Sequence, residues 1–154
     1  MWNPTSPVTG AAQTGLTSPT YTLTADFAPE ANGKQVAVTS LGGTQTGVTV
    51  HTVASPFTVT FVRPRQYKTL GQPNPVTGRV SSVPMNSYHV IVRKGVTPLA
   101  NQPAKPMIIR MSIDVPAGGD TYDAPNIRAA LSLAIGILSQ QSAGVGDTVV
   151  SGIA

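Results

Sequence analysis

The chain has 154 residues, a formal net charge of +4, two histidines and no cysteine. That length fits one domain, residues 1–154, with room for a core; the missing cysteines exclude disulfides and thiolate zinc sites, and His51 and His89 are too few and too far apart for a metal signature. Charged residues make up only 10% of the chain against a typical ~25%, which fits a protein that covers much of its surface with copies of itself.

Residues 1–19 hold three prolines and two glycines with no periodicity and read as an irregular arm. The opening "MWNPTSPVTG" lacks the basic start and apolar run of a signal peptide, so a soluble, non-secreted product is expected. "YTLTADF" (21–27) and "KQVAVTS" (34–40) flank the turn signal Asn32-Gly33 and read as a hairpin. "GVTVHTVA" (47–54) alternates Val48, Val50 and Thr52 against Thr49, His51 and Val53 and is expected to be the next strand.

Three later segments alternate with period two, as half-buried antiparallel strands do. In "FTVTF" (57–61), Phe57, Val59 and Phe61 oppose Thr58 and Thr60. In "SYHVIVR" (87–93), Tyr88, Val90 and Val92 oppose Ser87, His89, Ile91 and Arg93. In "MIIRMSIDV" (107–115), Met107, Ile109, Met111, Ile113 and Val115 oppose Ile108, Arg110, Ser112 and Asp114. One face is apolar; the other is mostly small, polar or basic. Between them, 69–86 reads as a long turn-rich loop and "KGVTPLANQPAKP" (94–106) as a second, proline-rich one.

"PNIRAALSLAIGILSQQ" (125–141) changes period. Asp123 and Pro125 mark a helix start. From Ala129 to Leu138 only Ser132 and Gly136 interrupt Ala, Leu and Ile, a run too short to span a bilayer, which needs ~20 apolar residues. Arg128, Ser132, Gly136 and Ser139 form one narrow polar or small stripe. Ile127, Leu131, Ala134 and Leu138 lie on one side of it, Ala130, Leu133 and Ile137 on another. A helix lying on one open sheet needs a single apolar face. The surplus implies a dimer, with Ile127, Leu131, Leu133, Ile135 and Leu138 at its interface; cover by the N-terminal arm is the alternative. Residues 123–154 are expected to form the C-terminal helices, after a hairpin and sheet over 20–118.

Charge is segregated. No acid falls between residues 31 and 113, and that window holds nine of the ten cations, so it carries +9 while the flanks sum to −5. This is the footprint of a polyanion partner, unless the cations merely solvate loops.

The second half resembles a known family, the coat proteins of small single-stranded RNA bacteriophages (levivirus-like). The resemblance rests on "MIIRMSIDVP", the Gly- and Asp-containing turn after it, and "IRAALSLAIGILSQQSAGVGDTVVSGIA". It implies an α+β fold: an N-terminal hairpin, an antiparallel sheet of about five strands, and two C-terminal helices packed across an intertwined dimer whose sheets join edge to edge. It implies a virion capsid, an icosahedral T=3 shell assembled in the cytoplasm of a bacterial host, with single-stranded genomic RNA, a stem-loop included, as partner. The face opposite the helices would bind that RNA through Thr58, Thr60, His89, Ile91, Arg93, Arg110 and Ser112. The loop with Val96, Pro98, Asn101 and Pro103 would meet its copies between dimers. No cofactor, metal or membrane partner is implied.

The sequence holds no G-x-S-x-G, P-loop, HExxH or nucleophile–base pair, so a non-enzyme is expected. A non-assembling β-sheet RNA- or nucleic-acid-binding module is the alternative, and an oligomeric pilus-type subunit a third reading.

Overall fold

The computed structural model describes residues 1–154. Six strands form one sheet in chain order: β1 (Val8–Thr9), β2 (Thr17–Asp26), β3 (Gly33–Thr44), β4 (Phe57–Val62), β5 (Met85–Val96) and β6 (Lys105–Pro116). Every neighbouring pair is antiparallel. Helices α1 (Gly119–Tyr122), α2 (Ala124–Gln140) and α3 (Ser142–Ser151) follow. The α+β expectation holds with six strands rather than about five, because Val8 and Thr9 of the arm pair with Tyr21 and Thr20.

The expected hairpin is β2–β3, and its last turn is closed over Ala31 and Asn32, with the Gly33 N–H on the Glu30 carbonyl at 3.0 Å and Gly33 itself opening β3. Its register slips by one residue between Thr22 and Leu23, which leaves Thr39 unpaired as a bulge. The slip has a packing consequence. Leu41 and Val38 are three apart and would face opposite ways in a regular strand. With the bulge they oppose Tyr21 and Leu23 on one face.

Residues 47–54 are not a strand, contrary to their alternation. β4 pairs only with Gly33–Ala37 of β3. Beyond it the 47–54 segment touches β3 through a single ladder-like bond, His51 N–H to the Val38 carbonyl at 2.8 Å. The His51 Nδ1 accepts the Phe57 N–H at 3.0 Å, which ties the segment to the start of β4 instead. The first long connection starts earlier and is longer than expected, 63–84 against 69–86, whereas the second is shorter. β5 starts at Met85, and β5 and β6 stay paired out to Val96 and Lys105, leaving 97–104 as the connection. Pro106 is tolerated because β6 is an edge strand. The 63–84 connection is pinned by Asn86, whose side chain accepts the Lys68 N–H at 2.8 Å and donates to the Lys68 carbonyl at 3.0 Å.

α2 matches the expected helix to within one residue at each end. Asp123 stands at its N-cap, but the carboxylate takes the Asn126 side-chain amide at 2.8–2.9 Å and not a backbone N–H. Seventeen residues at 1.5 Å each span about 25 Å. Six strands about 4.8 Å apart have nearly the same width. α2 is therefore long enough to cross the sheet from the β6 edge, and beyond its end the arm holds α3. Gln13 Nε2 donates to the Ser142 carbonyl and hydroxyl at 2.8 and 2.7 Å, and Thr14 Oγ1 lies 3.0 Å from an Asp147 carboxylate oxygen. Gly146 makes room for this clasp, since a Cβ there would sit 2.1 Å from Gln13 Oε1.

The helix layer does not seal the sheet. A cleft of about 610 Å³ separates α2, through Ile127, Leu131 and Ile135, from Phe61, Tyr88, Val90, Met111 and Ile113. Trp2 enters it and stacks on Phe61 with ring centroids 5.7 Å apart. Nine of 154 residues are buried, and none is in α2 or α3. A chain of this length has the means to bury more. The arm covers part of the apolar face, and the rest is open.

Candidate nucleic-acid interface

Residues directly opposite in an antiparallel ladder share a face, so the register assembles the side of the sheet turned away from the helices. One row reads Asp26, Gln35, Thr60, Ile91, Arg110 from β2 to β6. The next reads Thr24, Ala37, Thr58, Arg93, Ile108. A third holds Gly33, Val62, His89 and Ser112. All seven residues expected to bind RNA thus stand on one face, within three adjacent rows.

Their accessibility differs. His89, Arg110 and Ser112 are exposed, and Ile91 and Arg93 are half-buried. Thr58 and Thr60 are buried, at 4% and 1% exposure. Thr60 is covered by long neighbours on both sides. The Arg93 Nη1 donates to Thr60 Oγ1 at 3.1 Å, and the Thr60 hydroxyl donates to Gln35 Oε1 at 2.7 Å. Gln35 Nε2 in turn donates to an Asp26 carboxylate oxygen at 2.6 Å. That bond, with the Phe27 N–H at 2.8 Å, holds the Asp26 carboxyl below the usual carboxylate range. Thr60 is thus a link inside the face and not part of its outer skin.

Two residues of this arrangement, Gln35 and Asp26, escaped the sequence reading. The signal was present, since "KQVAVTS" alternates Gln35 and Ala37 against Lys34, Val36 and Val38. The cations are also redistributed. Lys34 opposes Phe61 and Lys94 opposes Phe57, so both stand on the helix side. The Lys94 ammonium lies 4.9 Å from the Phe57 ring centroid and donates to Thr49 Oγ1 at 2.9 Å, and burial lowers its pKa. Arg63, Arg65, Lys68 and Arg79 lie in the long connection after β4. Of the nine cations in the acid-free window, Arg93 and Arg110 are the two in the three polar rows. Asp114 flanks them at the strand end, where it accepts from the Ser87 and Ser112 hydroxyls at 2.5 and 3.4 Å.

No family model matches the chain, and no curated protein matches it. A solved structure does. The virus-like particle of bacteriophage ESE020 shares 62% sequence identity and superposes at a TM-score of 0.97, with 100% of each chain covered. The chain belongs to this family of bacteriophage coat proteins. Its role is therefore structural.

In this coat protein the helix residues expected at a dimer interface fall into two groups. Ile127, Leu131 and Ile135 recur every four residues and line the cleft over the sheet. Leu133 and Leu138 are exposed, as are Ile135 of the cleft group and Ile137, which the interface expectation omitted. The edge strand adds Met107, Ile108 and Ile109, all exposed. In the β5–β6 connection Val96 is still paired with Lys105, whereas Pro98, Asn101 and Pro103 are in the loop proper, with Asn101 at φ 62°. No group of three or more His, Cys, Asp or Glu residues is arranged to hold a metal, and no helix is long and apolar enough to cross a membrane.

Proposed function

We propose that this coat protein forms a homodimer through its β6 edges and helix layers, and that the dimers close into a shell. The polar sheet face would turn inward onto single-stranded genomic RNA. The observation that carries the reading is the state of β6 and α2 together. β6 is a 12-residue edge strand, with one row of backbone N–H and C=O groups unpaired in the isolated chain. Proteins normally blunt such an edge. Here it carries exposed Met107, Ile108 and Ile109 instead, beside the open apolar side of α2. A second copy related by a two-fold axis satisfies both surfaces at once. That joint would also place Arg110 and Arg93 of each copy on one continuous face, doubling its cations. The sequence resemblance supports the finer picture: a levivirus-like, icosahedral T=3 particle, assembled in the cytoplasm of a bacterial host and forming the virion capsid.

The test is expression of the full chain in bacteria, followed by sedimentation and electron microscopy of the purified material. Closed uniform particles are expected, with an absorbance ratio and nuclease-protected content that report packaged RNA. A folded monomer that binds RNA without forming particles would replace this reading with the non-assembling module. Empty particles would remove RNA packaging from it.

A further inference from the structure

We propose that Gln35 and Asp26 are positioning residues that aim the Arg93 guanidinium at RNA through a hydrogen-bond relay across four strands. The inference rests on the reading that the polar face binds RNA. The relay runs one way: Arg93 Nη1 to Thr60 Oγ1 at 3.1 Å, Thr60 Oγ1 to Gln35 Oε1 at 2.7 Å, Gln35 Nε2 to Asp26 Oδ2 at 2.6 Å. It passes from β5 through β4 and β3 to β2.

Each link fixes the next. The Asp26 carboxylate only accepts, so it sets which end of the Gln35 amide faces it. The Gln35 carbonyl then points at Thr60 and takes its proton. With its proton committed, the Thr60 oxygen offers a lone pair to Arg93. Chains aligned in this way polarise one another. Thr60 is 1% exposed, so water does not compete for the middle link. A guanidinium has five N–H donors; the relay engages Nη1, and the remaining donors stay available to a phosphate or a base edge. An unanchored arginine would have to lose its rotamer freedom on binding. This one is already held.

Coulomb repulsion and the relay make opposite predictions for Asp26. Removing an acid from an RNA-facing sheet should raise affinity for a polyanion. However, β2 and β5 are three strand spacings apart, about 14 Å, beyond the Debye length of about 8 Å at physiological salt. The repulsion is screened, and the relay decides the sign.

The experiment is a fluorescence-anisotropy titration of the full, unassembled chain with short labelled oligouridine at several salt concentrations. Arg93→Ala should weaken binding and flatten the log–log salt slope by about 0.7. Gln35→Leu should weaken it about 2- to 10-fold, the scale of one hydrogen bond, with the slope unchanged because no cation is lost. In the Arg93→Ala background Gln35→Leu should add nothing. Asp26→Ala, at an exposed site, should lower affinity, and Asp26→Asn, which keeps an acceptor oxygen, should recover part of the loss. If Arg93→Ala binds as wild type, the RNA reading of this face fails and the relay has no purpose. If Arg93→Ala weakens binding while Gln35→Leu and Asp26→Ala do not, the RNA reading stands and the relay is overturned. Equal losses from Gln35→Leu with and without Arg93 would also overturn it, because Gln35 would then touch RNA by itself.

Discussion

Strands β4 and β6 have the same alternation and opposite fates. In β4 the residues of the polar face, Thr58, Thr60 and Val62, are the buried ones, and Phe57, Val59 and Phe61 of the apolar face are half-buried. In β6 every residue is exposed or half-buried, Ile109 at 52%. β4 lies between β3 and β5, and long side chains from both neighbours, Gln35 and Arg93, bond to Thr60. β6 has a neighbour on one side only. Alternation assigns a residue to a face, and the position of the strand in the sheet decides whether that face is covered.

The sharpest way to break the comparison is to put the same charge on the same face of both strands. Val59 faces Val36 and Val92, and Ile109 faces Val92. Val59→Asp sets an unpaired carboxylate in the middle of the sheet, which costs several kcal/mol, and should abolish the folded chain by circular dichroism. Ile109→Asp should leave a folded chain that no longer pairs with a copy, losing about 1.5–3 kcal/mol per side chain, twice over in a two-fold interface. Sedimentation velocity reads the second effect. If Ile109→Asp unfolds the chain as Val59→Asp does, the β6 edge belongs to the chain's own core and no partner is needed to explain it.

A smaller effect sharpens the comparison on the polar face. Thr60→Val keeps the shape of the side chain but leaves Gln35 Oε1 without a donor and Arg93 Nη1 without an acceptor. Unfolding in urea should show a loss of about 1–3 kcal/mol. Ser112→Ala on exposed β6 should stay within about 0.5 kcal/mol of wild type. Equal effects would mean that the position of the strand does not matter.

The smallest effect concerns pH. Hydrogen bonds from Gln35 and the Phe27 N–H lower the Asp26 pKa in the fold. Its contribution to stability is then present above the unfolded value of about 3.9 and is lost as pH falls through the lower, folded value. The melting-temperature difference between wild type and Asp26→Asn should be flat from neutral pH down to about pH 5 and narrow below about pH 4. A difference that persists unchanged at pH 2 would show that the carboxylate form is not what the fold favours. Asp26 is exposed, so solvent screening keeps the effect small.

Several features of the site were legible in the residues. The faces of 57–61, 87–93 and 107–115 were readable because side-chain direction in a strand has period two and is a local property of the backbone. The helix was readable from Asp123, Pro125 and the apolar run, and so was its excess of apolar surface. The hairpin at 27–32 was readable for the same reason, since a turn is decided by the residues in it, although the turn closes over Ala31 and Asn32, one residue before the Asn32-Gly33 pair. Tertiary structure alone decided the rest. It demoted 47–54, which meets β3 beyond β4 through the single bond from His51 N–H to the Val38 carbonyl and is tied instead to the start of β4 by the His51 ring. It moved Lys34 and Lys94 to the helix side through register, which no composition window contains. It buried Thr58 and Thr60, small side chains on a strand with neighbours on both sides, Thr60 beneath Arg93 and Gln35. It also brought Gln13 and Thr14 to α3, 129 and 133 residues further along the chain. Direction and periodicity are short-range quantities written in neighbouring residues, whereas burial and partnership depend on atoms that arrive from elsewhere in the chain.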